Sequence, residues 1–219
     1  LAVRFPLRSE GLLGSRRWLT AVDGVDLDVA AGQSFGIVGE SGCGKSTLAR
    51  AILGLVEPVA GSIAWRGSSV RRGDAAGLRR MRRELQVVFQ DPVGSLDPRM
   101  TIGESVAEAL IALEGSQPRA MRDSRVAATL HEVGLDPVLA VRYPHELSGG
   151  QCQRAAIARA VVARPAMLVC DEAVSALDVS VQAQIVNLLA DLRERHGLAL
   201  LFISHNLAVV RQLCDEVVV

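Results

Sequence analysis

The sequence predicts an α/β fold with a mainly parallel β-sheet. Two segments near the C-terminal end, "AMLVCDE" and "LALLFISH", are apolar until they reach their last residues, and the helical pattern "VQAQIVNLLADLRER" separates them. Strands that are apolar on both faces and alternate with helices are typical of a parallel sheet covered on both sides. The length of 219 residues suits one large domain, or a core with an inserted subdomain.

Elements of the same kinds follow one another along the rest of the chain. "SFGIVGE" predicts a short buried strand, "KSTLARAILGLV" a helix, and "GSIAWRG" and "LQVVFQD" two further strands. From Pro92 to Ala163 the pattern becomes helical, with "IGESVAEALIAL" and "RVAATLHEVGL" as amphipathic segments, and we interpret this stretch as an insertion. The final "CDEVVV" indicates a strand cut off mid-element, so we expect a chain truncated at its C-terminus.

The charge balance gives no electrostatic reason to expect nucleic acid, because 24 basic and 24 acidic side chains cancel. One stretch, from Arg66 to Arg83, is locally basic, and we interpret it as a solvated surface segment. Its remaining arginines are Arg71, Arg72, Arg79, Arg80 and Arg82.

Cysteine usage and hydropathy indicate a cytosolic protein. The four cysteines have no spacing typical of a metal site or a redox motif, so we expect reduced thiols. The first twenty residues are too charged and interrupted for a signal peptide. Arg159 and Arg164 interrupt the longest apolar run, so we expect no membrane helix.

The segment "GESGCGKST" carries the strongest functional signal. It matches the P-loop pattern G-x-x-x-x-G-K-[ST] and lies between a predicted strand and a predicted helix, as phosphate binding requires. Its glycines let the backbone curl so that successive N–H groups point at phosphate oxygens. Lys45 supplies a positive charge for the β- and γ-phosphates, and the Ser46 hydroxyl can ligate Mg²⁺. The predicted nucleotide-binding residues are Gly39, Ser41, Gly42, Cys43, Gly44, Lys45, Ser46 and Thr47.

An acidic pair follows the apolar strand "AMLVCDE". Asp171 comes at the C-terminal end of this strand, where open parallel sheets bind their ligands. A carboxylate there can hold Mg²⁺ through water, and Glu172 can orient or deprotonate a water that attacks the γ-phosphate. Taken alone, the pair also fits an exposed acidic turn. With a P-loop in the same chain, it predicts a hydrolytic site.

A second anion site is predicted in "HELSGGQCQRAAIARA". Ser148, Gly149 and Gly150 precede a helical run, and backbone N–H groups at a helix start lack internal partners. Taken alone, the segment fits a plain helix cap equally well. One nucleotide does not obviously need two phosphate cradles from one chain. Two chains facing head to tail would each give a P-loop to one ATP and this second cradle to the other.

Five motifs together resemble the ATP-binding subunit of ABC transporters. "GESGCGKST", "VVFQDP", "LSGGQ", "CDEAVSALD" and "FISHN" occur in the family's order and span most of the chain. "VFQDPVGSLDPRMTIGESVAEAL" and "YPHELSGGQ" further resemble the subfamily that imports dipeptides, oligopeptides or nickel. The resemblance implies a P-loop NTPase core with a mainly parallel sheet, an N-terminal antiparallel β portion and an inserted helical subdomain. We expect one domain over 1–219, with a nucleotide-binding core over 1–91 and 164–219 and a helical signature subdomain over 92–163.

The resemblance also assigns roles to single residues. Gln90 matches the glutamine that contacts Mg²⁺ or the attacking water, His205 matches the histidine that contacts the γ-phosphate, and Asp178 matches a residue that crosses the dimer interface. The signature that closes over the other subunit's ATP is matched by Ser148, Gly149, Gly150 and Gln151. The expected catalytic residues are Glu172, His205, Gln90 and Lys45. The expected Mg²⁺ ligands are Ser46, Gln90 and Asp171.

Several positions fit the family's pattern less closely. Trp18 is nearest to the spacing of the adenine-stacking aromatic and Phe5 is second, and Trp18 fits a packing or exposed residue as well. Ala173 replaces the usual proline after the catalytic glutamate, which removes a restraint on φ. Cys152 follows the signature glutamine where a long polar residue is common, and we expect both changes to tune activity.

Cys43 lies at a helix start, which favours a reactive thiolate; the alternative is a buried, inert thiol.

The implied function is ATP hydrolysis that powers solute import, with peptides as the expected solute. We expect ATP and Mg²⁺ as cofactors, an identical or paralogous second ATPase subunit, transmembrane permease partners and, indirectly, a solute-binding protein. The expected location is the cytoplasmic face of the bacterial inner membrane, as a peripheral subunit, and no nucleic-acid partner is expected. The alternatives are a soluble ABC ATPase of DNA repair or translation and a non-hydrolysing nucleotide sensor. The first often carries two cassettes or a long coiled-coil insert, and the second conflicts with Glu172 and His205.

Overall fold

The computed structural model describes residues 1–7, 17–71 and 73–219. These residues form two compact units, which we call the small unit and the sheet unit. The small unit consists of Leu1–Asp28 and Gly39–Arg82. The sheet unit consists of Val29–Val38 and Arg83–Val219.

The strands and helices alternate along most of the chain. The strands are β1 (Val3–Pro6), β2 (Trp18–Val22), β3 (Ser34–Val38), β4 (Ile63–Trp65), β5 (Ser68–Val70), β6 (Leu85–Val88), β7 (Met167–Asp171), β8 (Ala199–Ser204) and β9 (Glu216–Val218). The α-helices are α1 (Lys45–Ile52), α2 (Ala75–Glu84), α3 (Ile102–Glu114), α4 (Arg119–Glu132), α5 (Gly149–Val161), α6 (Val179–His196) and α7 (Leu207–Leu213). Two short 3-10 helices cover Pro137–Val141 and Pro144–Glu146. None of the helices in the described part of the chain has the length and apolar character that a membrane-spanning segment requires.

The sheet unit is built on five parallel strands in the order β6-β7-β8-β3-β9. Every residue of β3, β7 and β8 is buried, which confirms the prediction that these apolar strands are covered on both faces. Leu200 and Phe202 of β8 have no exposed surface. Burying each such side chain contributes about 2 kcal/mol to stability. Because β6, β7 and β8 are neighbours and parallel, their carboxyl ends lie at one edge of the sheet.

Helix α5 packs against β6, and helix α3 packs against α5. Ile102, Val106 and Leu110 are spaced four residues apart on α3 and are fully buried. Thr101 caps α3: its hydroxyl accepts from the Glu104 N–H while the Glu104 carboxylate accepts from the Thr101 N–H. The buried stripe and the cap explain why "IGESVAEALIAL" forms the predicted helix.

The small unit contains two antiparallel strand pairs. Strand β1 pairs with β2, with Val3 opposite Val22, and helix α1 packs against both strands. Strand β4 pairs with β5 through a tight turn, in which Arg66 and Gly67 have φ values of 48° and 74°. The antiparallel β portion implied by the resemblance is therefore present.

The basic stretch differs from its prediction in one respect. Its arginine side chains are exposed at Arg66, Arg71, Arg79, Arg80, Arg82 and Arg83, as expected for a solvated segment, while Arg72 lies outside the described residues. The backbone of residues 75–84, however, forms helix α2. Only Leu78 and Met81 face inward as large apolar residues, so the hydrophobic spacing was too sparse to indicate a helix.

Candidate functional site

The P-loop leads from β3 into α1. Gly42 and Gly44 have φ values of 85° and 105°, a backbone region that glycine enters without strain. A Cβ atom on Gly44 would lie 2.0 Å from the carbonyl oxygen of Ala21 in β2. Strand β2 therefore lies directly against the loop, and only glycine fits at position 44.

Lys45 places a buried cation in this loop. The side chain is 6% exposed, and its Nζ donates to the carbonyl oxygens of Gly39 and Glu40, each at 2.7 Å. Within the described residues, no side chain caps the start of α1 and no acidic residue lies in its first turn. A buried ammonium group and a helix start without a competing carboxylate fit a phosphate group.

The carboxyl ends of β6, β7 and β8 bring together four predicted site residues. Gln90 follows β6 and is exposed, while Asp171 ends β7 and is 7% exposed. Glu172 comes next in the chain, and His205 follows the last residue of β8. In the register of the sheet, Val88 lies opposite Cys170 and Asp171 lies opposite Ile203. Strand order thus brings together residues of three chain segments that are 33 to 115 positions apart in the sequence.

Glu172 and His205 are in direct contact. The Nδ1 atom of His205 lies 3.5 Å from Oε2 of Glu172; 16% of the glutamate side chain is exposed, against 56% of the imidazole. The Glu172 side chain is therefore largely buried at the carboxyl ends of the strands, and the imidazole beside it is exposed to solvent. This is a geometry in which one group can accept a proton and the other can orient a ligand.

The backbone of Glu172 is held in an uncommon conformation. Its φ is 50°, which costs a residue with a side chain about 1–2 kcal/mol. Three hydrogen bonds hold it: the Glu172 N–H donates to the Ile203 carbonyl at 2.9 Å, and the N–H and hydroxyl of Ser175 donate to the Glu172 carbonyl at 3.1 and 2.9 Å. The turn therefore fixes the direction in which the Glu172 side chain leaves the backbone.

His205 is fixed in a similar way by the start of α7. The Asn206 N–H donates to the Ser204 hydroxyl at 3.0 Å, and the Asn206 side chain caps the helix by accepting from the Ala208 N–H at 3.0 Å. These bonds hold the backbone on the C-terminal side of the histidine.

The predicted Mg²⁺ ligands are all oxygen donors. Ser46 offers a hydroxyl, Gln90 an amide oxygen and Asp171 a carboxylate. Magnesium prefers such hard donors and keeps several waters and phosphate oxygens in its shell. The donor set fits this ion, and each side chain has a place at a helix start or a strand end.

The predicted signature begins helix α5. Ser148 is the N-cap: its hydroxyl accepts from the Gln151 N–H at 3.3 Å, and the Gln151 side chain accepts from the Ser148 N–H at 2.9 Å. The segment is therefore a helix cap, as the simpler interpretation expected. Ser148 and Gly149 are also exposed, and no acidic residue lies in the first turn, so an anion can approach.

The start of α6 packs against the signature. A Cβ atom on Gly150 would lie 2.8 Å from Cγ1 of Val181. Asp178 is the N-cap of α6 and is exposed, yet its side chain makes no capping hydrogen bond to any described residue. The structure thus brings the signature and the residue 178 turn to one surface of the sheet unit.

Four further residues that the sequence singles out lie in β1, β2 and the core of the sheet unit. Trp18 begins β2, the strand that carries Ala21 against the P-loop, and is 53% exposed; Phe5 on β1 is 37% exposed. Ala173 is buried in the core of the sheet unit. Cys152 is also buried there, and its thiol donates to the Pro144 carbonyl at 3.3 Å.

Sequence reasoning missed one residue near Gln90. Arg159 of α5 donates a hydrogen bond from Nη1 to the carbonyl oxygen of Ser95, in the loop that follows Gln90. The sequence offered a signal, since Arg159 is a charged residue inside an otherwise apolar helical run.

A family model described as ABC transporter matches residues 22–175. The chain belongs to the ABC transporter family. This ABC chain is 50% identical over 221 residues to the oligopeptide transport ATP-binding protein OppF of Haemophilus influenzae, covering 100% of the chain and 67% of that protein. It is 53% identical over 201 residues to OppF of Salmonella typhimurium, covering 92% of the chain and 60% of that protein. The chain thus spans 60 to 67% of the length of these two relatives.

Solved structures of ABC cassettes share the fold. A dimeric, post-hydrolysis structure of the ATP-binding cassette MJ0796 bound to ADP and Pi is 30% identical, with a TM-score of 0.81, over 95% of this chain and 88% of that one. The cbiO1 subunit of Clostridium perfringens is 28% identical, also with a TM-score of 0.81, over 90% of this chain and 77% of that one. The predicted fold class, an ABC ATPase fold with a parallel core sheet and an antiparallel β portion, is confirmed.

Proposed function

We propose that this chain is the ATP-hydrolysing subunit of an ABC importer. The observation that carries the proposal is the Glu172 carboxylate, 3.5 Å from His205 at the carboxyl edge of the parallel sheet. A nucleotide sensor has no need of a carboxylate held in this way. The turn that fixes Glu172 supports a role in the chemical step.

Each part of the chain has a distinct task in this proposal. The loop with Lys45 binds the phosphates, Ser46 and Asp171 hold Mg²⁺ with Gln90 as a further ligand, and Trp18 stacks on the adenine. Bound Mg²⁺ supplies positive charge that offsets the charge of the phosphates. The nucleotide-binding core is assigned to 1–91 and 164–219 and the helical signature subdomain to 92–163.

The hydrolytic step uses the side chains at the sheet edge. The Glu172 carboxylate orients a water and accepts its proton as the water oxygen bonds to the γ-phosphorus and the β–γ bridging bond breaks. His205 donates a hydrogen bond to a γ-phosphate oxygen from the imidazole that reaches into solvent. The direction in which the Glu172 side chain leaves the backbone is set before the nucleotide binds, because the Glu172 turn is held by hydrogen bonds to its N–H and carbonyl groups.

The import role and the peptide solute are proposed from the relatives. Both OppF proteins are named for oligopeptide transport, and a 48% identical relative from Pectobacterium atrosepticum is named for glutathione import. These names do not favour a soluble ATPase of DNA repair or translation. We assign this chain transmembrane permease partners that take solute from a binding protein, and a peripheral place on the cytoplasmic face of the inner membrane.

Two substitutions test the catalytic assignment. Glu172→Gln removes the general base while keeping the shape of the side chain, so it is expected to bind ATP and hydrolyse it at least about 10²-fold more slowly. Lys45→Ala removes the buried ammonium group and is expected to weaken ATP binding itself. Steady-state phosphate release and binding of a fluorescent ATP analogue measure the two effects separately. Wild-type turnover in Glu172→Gln would remove Glu172 from this role.

A further inference from the structure

The small unit carries an excess of positive charge that the proposed hydrolytic step does not use. The stretch from Arg66 to Arg82 contains six arginines and one acidic residue, Asp74, which leaves 18 basic and 23 acidic side chains for the rest of the chain. The Asp74 carboxylate is partly buried and accepts from the Gly77 N–H at 2.8 Å, so it serves the start of α2. A chain without net charge therefore has a local cationic surface.

Helix α2 presents two of these arginines to solvent. Leu78 and Met81 form the inward-facing stripe of the helix, and a Cβ atom on Gly54 would lie 2.9 Å from Cδ2 of Leu78, so the stripe packs on the loop after α1. Successive residues of a helix are rotated by about 100°, which directs Arg79 and Arg80 away from this stripe. Both arginines are exposed.

The exposed arginines in and just before this helix form a surface that we call the basic face: Arg71, Arg79, Arg80 and Arg82. Within the part of the chain that the structure describes, Arg71, Arg79 and Arg80 form no ion pair with a carboxylate. Exposed arginines of the sheet unit are held by carboxylates of their own chain at 2.9 to 3.9 Å; examples are Arg99, Arg119, Arg142 and Arg195. The basic face is therefore available to an anionic partner.

An exposed apolar side chain lies beside the basic face. The Arg82 guanidinium donates to the Gly54 carbonyl at 3.4 Å, and the next residue, Leu55, is 58% exposed. Glu57, the acidic residue of the same loop, has an interaction partner of its own. Arginines next to an exposed leucine suit the boundary of a bilayer, where cations meet phosphate groups and an aliphatic side chain enters the acyl region. None of the exposed aromatic side chains of the described residues lies between positions 53 and 82, so this surface offers no platform on which nucleic-acid bases could stack.

We propose that the basic face binds anionic phospholipid headgroups of the membrane at whose cytoplasmic face this chain works. The proposal rests on the peripheral location that the proposed function assigns. A lipid phosphodiester carries a negative charge, and a guanidinium group can donate two N–H groups to its oxygens. Each arginine close to an anionic leaflet strengthens binding about fivefold, so the affinity depends steeply on the lipid charge and on salt.

Co-sedimentation with lipid vesicles tests this proposal on the purified chain. Vesicles of equal parts phosphatidylglycerol and phosphatidylcholine are compared with vesicles of phosphatidylcholine alone, at low and at high salt. The test variant combines Arg79→Gln with Arg80→Gln. The matched control combines Arg119→Gln with Arg195→Gln, which removes the same charge from exposed arginines of the sheet unit.

The wild-type chain is expected to bind the anionic vesicles but not the neutral ones, and about 1 M salt is expected to release it. The test variant is expected to bind the anionic vesicles at least about tenfold more weakly, and the control within about twofold of the wild type. Arg79→Lys with Arg80→Lys keeps the charge and is expected to keep the binding, and this pair decides if the glutamine variant does not fold. Leu55→Gln is expected to weaken binding about threefold, because it removes the aliphatic contact.

Several results would overturn the proposal. They are absent or equal binding to the two kinds of vesicle, equal losses in the two double-glutamine variants, and a loss in the lysine variant as large as that in the glutamine variant. Tighter binding of a single-stranded RNA would assign the surface to nucleic acid, and release by inorganic phosphate at matched ionic strength would assign it to free anions.

ATP turnover without vesicles separates this proposal from the proposed function. The test variant is expected to hydrolyse ATP at the wild-type rate, since the basic face contains none of the assigned catalytic residues. A wild-type chain that hydrolyses no ATP would contradict the proposed function, whereas vesicle binding is measured without ATP and decides the lipid proposal by itself.

Discussion

At the scale of single residues, the exposed thiol of Cys43 is the feature most directly open to measurement. The side chain is exposed, which contradicts the alternative of a buried, inert thiol, and its Sγ lies 3.8 Å from the Lys45 Nζ. An exposed thiol in the phosphate loop is open to alkylating reagents. Cys152 and Cys170 are buried, and burial raises the pKa of both thiols, so they remain protonated and unreactive near neutral pH.

We therefore predict that a maleimide labels Cys43 before Cys152 or Cys170 and blocks hydrolysis. Because the P-loop surrounds the phosphates when occupied, prebound ATP is expected to slow this labelling at least about tenfold. Mass spectrometry of labelled peptides at increasing times measures both effects, with Cys43→Ser as the control for the block. Labelling of Cys43 at one rate with and without ATP would contradict the prediction.

Residue-level features of the site divide into those that the sequence reveals and those that it does not. The P-loop, Asp171 and Glu172 were found from residue types and their positions next to predicted elements. The contact between Glu172 and His205 was not, because it depends on β7 and β8 being neighbours. The positive φ of Glu172 was also hidden, since it arises from hydrogen bonds to Ile203 and Ser175 and not from a residue type that prefers this conformation.

At the scale of secondary-structure elements, the meeting of β2 with the P-loop gives a matched pair of substitutions. Gly42 and Gly44 both have positive φ, but a Cβ on Gly42 meets no atom within 4 Å, whereas one on Gly44 meets the Ala21 carbonyl oxygen at 2.0 Å. An alanine at either position carries backbone strain. Only an alanine at position 44 also forces β2 and the loop apart.

We predict that Gly42→Ala lowers the free energy of unfolding by about 1–2 kcal/mol, the cost of the backbone strain. Gly44→Ala is expected to cost about 1–3 kcal/mol more, because the clash is with rigid backbone, and to weaken ATP binding further. Urea denaturation and binding of a fluorescent ATP analogue measure the two consequences. Equal losses of stability in both variants would show that β2 does not restrain the loop.

Elements with a continuous or periodic apolar pattern were predicted, and those without one were missed. Strands β3, β6, β7 and β8 and helices α1, α3, α5 and α6 were all assigned to helix or strand correctly from the sequence. Helix α2 has too few apolar residues to show a periodicity, and α7 has seven residues, about two turns. Strand β5, "SSV", forms only because it pairs with β4, which no local pattern reveals.

At the scale of the whole molecule, the chain offers two anion sites of different kinds. One is the P-loop with its buried lysine, and the other is the exposed start of α5. The Asp178 carboxylate, which makes no capping hydrogen bond to any described residue, lies on the same surface as the start of α5. A solved relative with 31% identity is a dimeric ABC cassette. We infer that two chains assemble so that each site contains the P-loop of one chain and the signature of the other.

Mixing two inactive variants tests this central claim most directly. Lys45→Ala damages the P-loop, and Ser148→Arg places bulk and charge where the second chain's phosphate would dock. In a mixed dimer that works in trans, one site carries both changes and the other carries neither.

Equal mixing of the two variants is expected to restore phosphate release that neither variant shows alone. With half of the dimers mixed and the two sites independent, the recovered rate approaches about a quarter of the wild-type rate, and coupling between the sites lowers it. If the natural partner is a paralogue, the two changes are divided between the two proteins. Should the signature instead serve its own chain's nucleotide, every site in the mixture stays damaged, and an activity no higher than that of the separate variants would contradict assembly in trans.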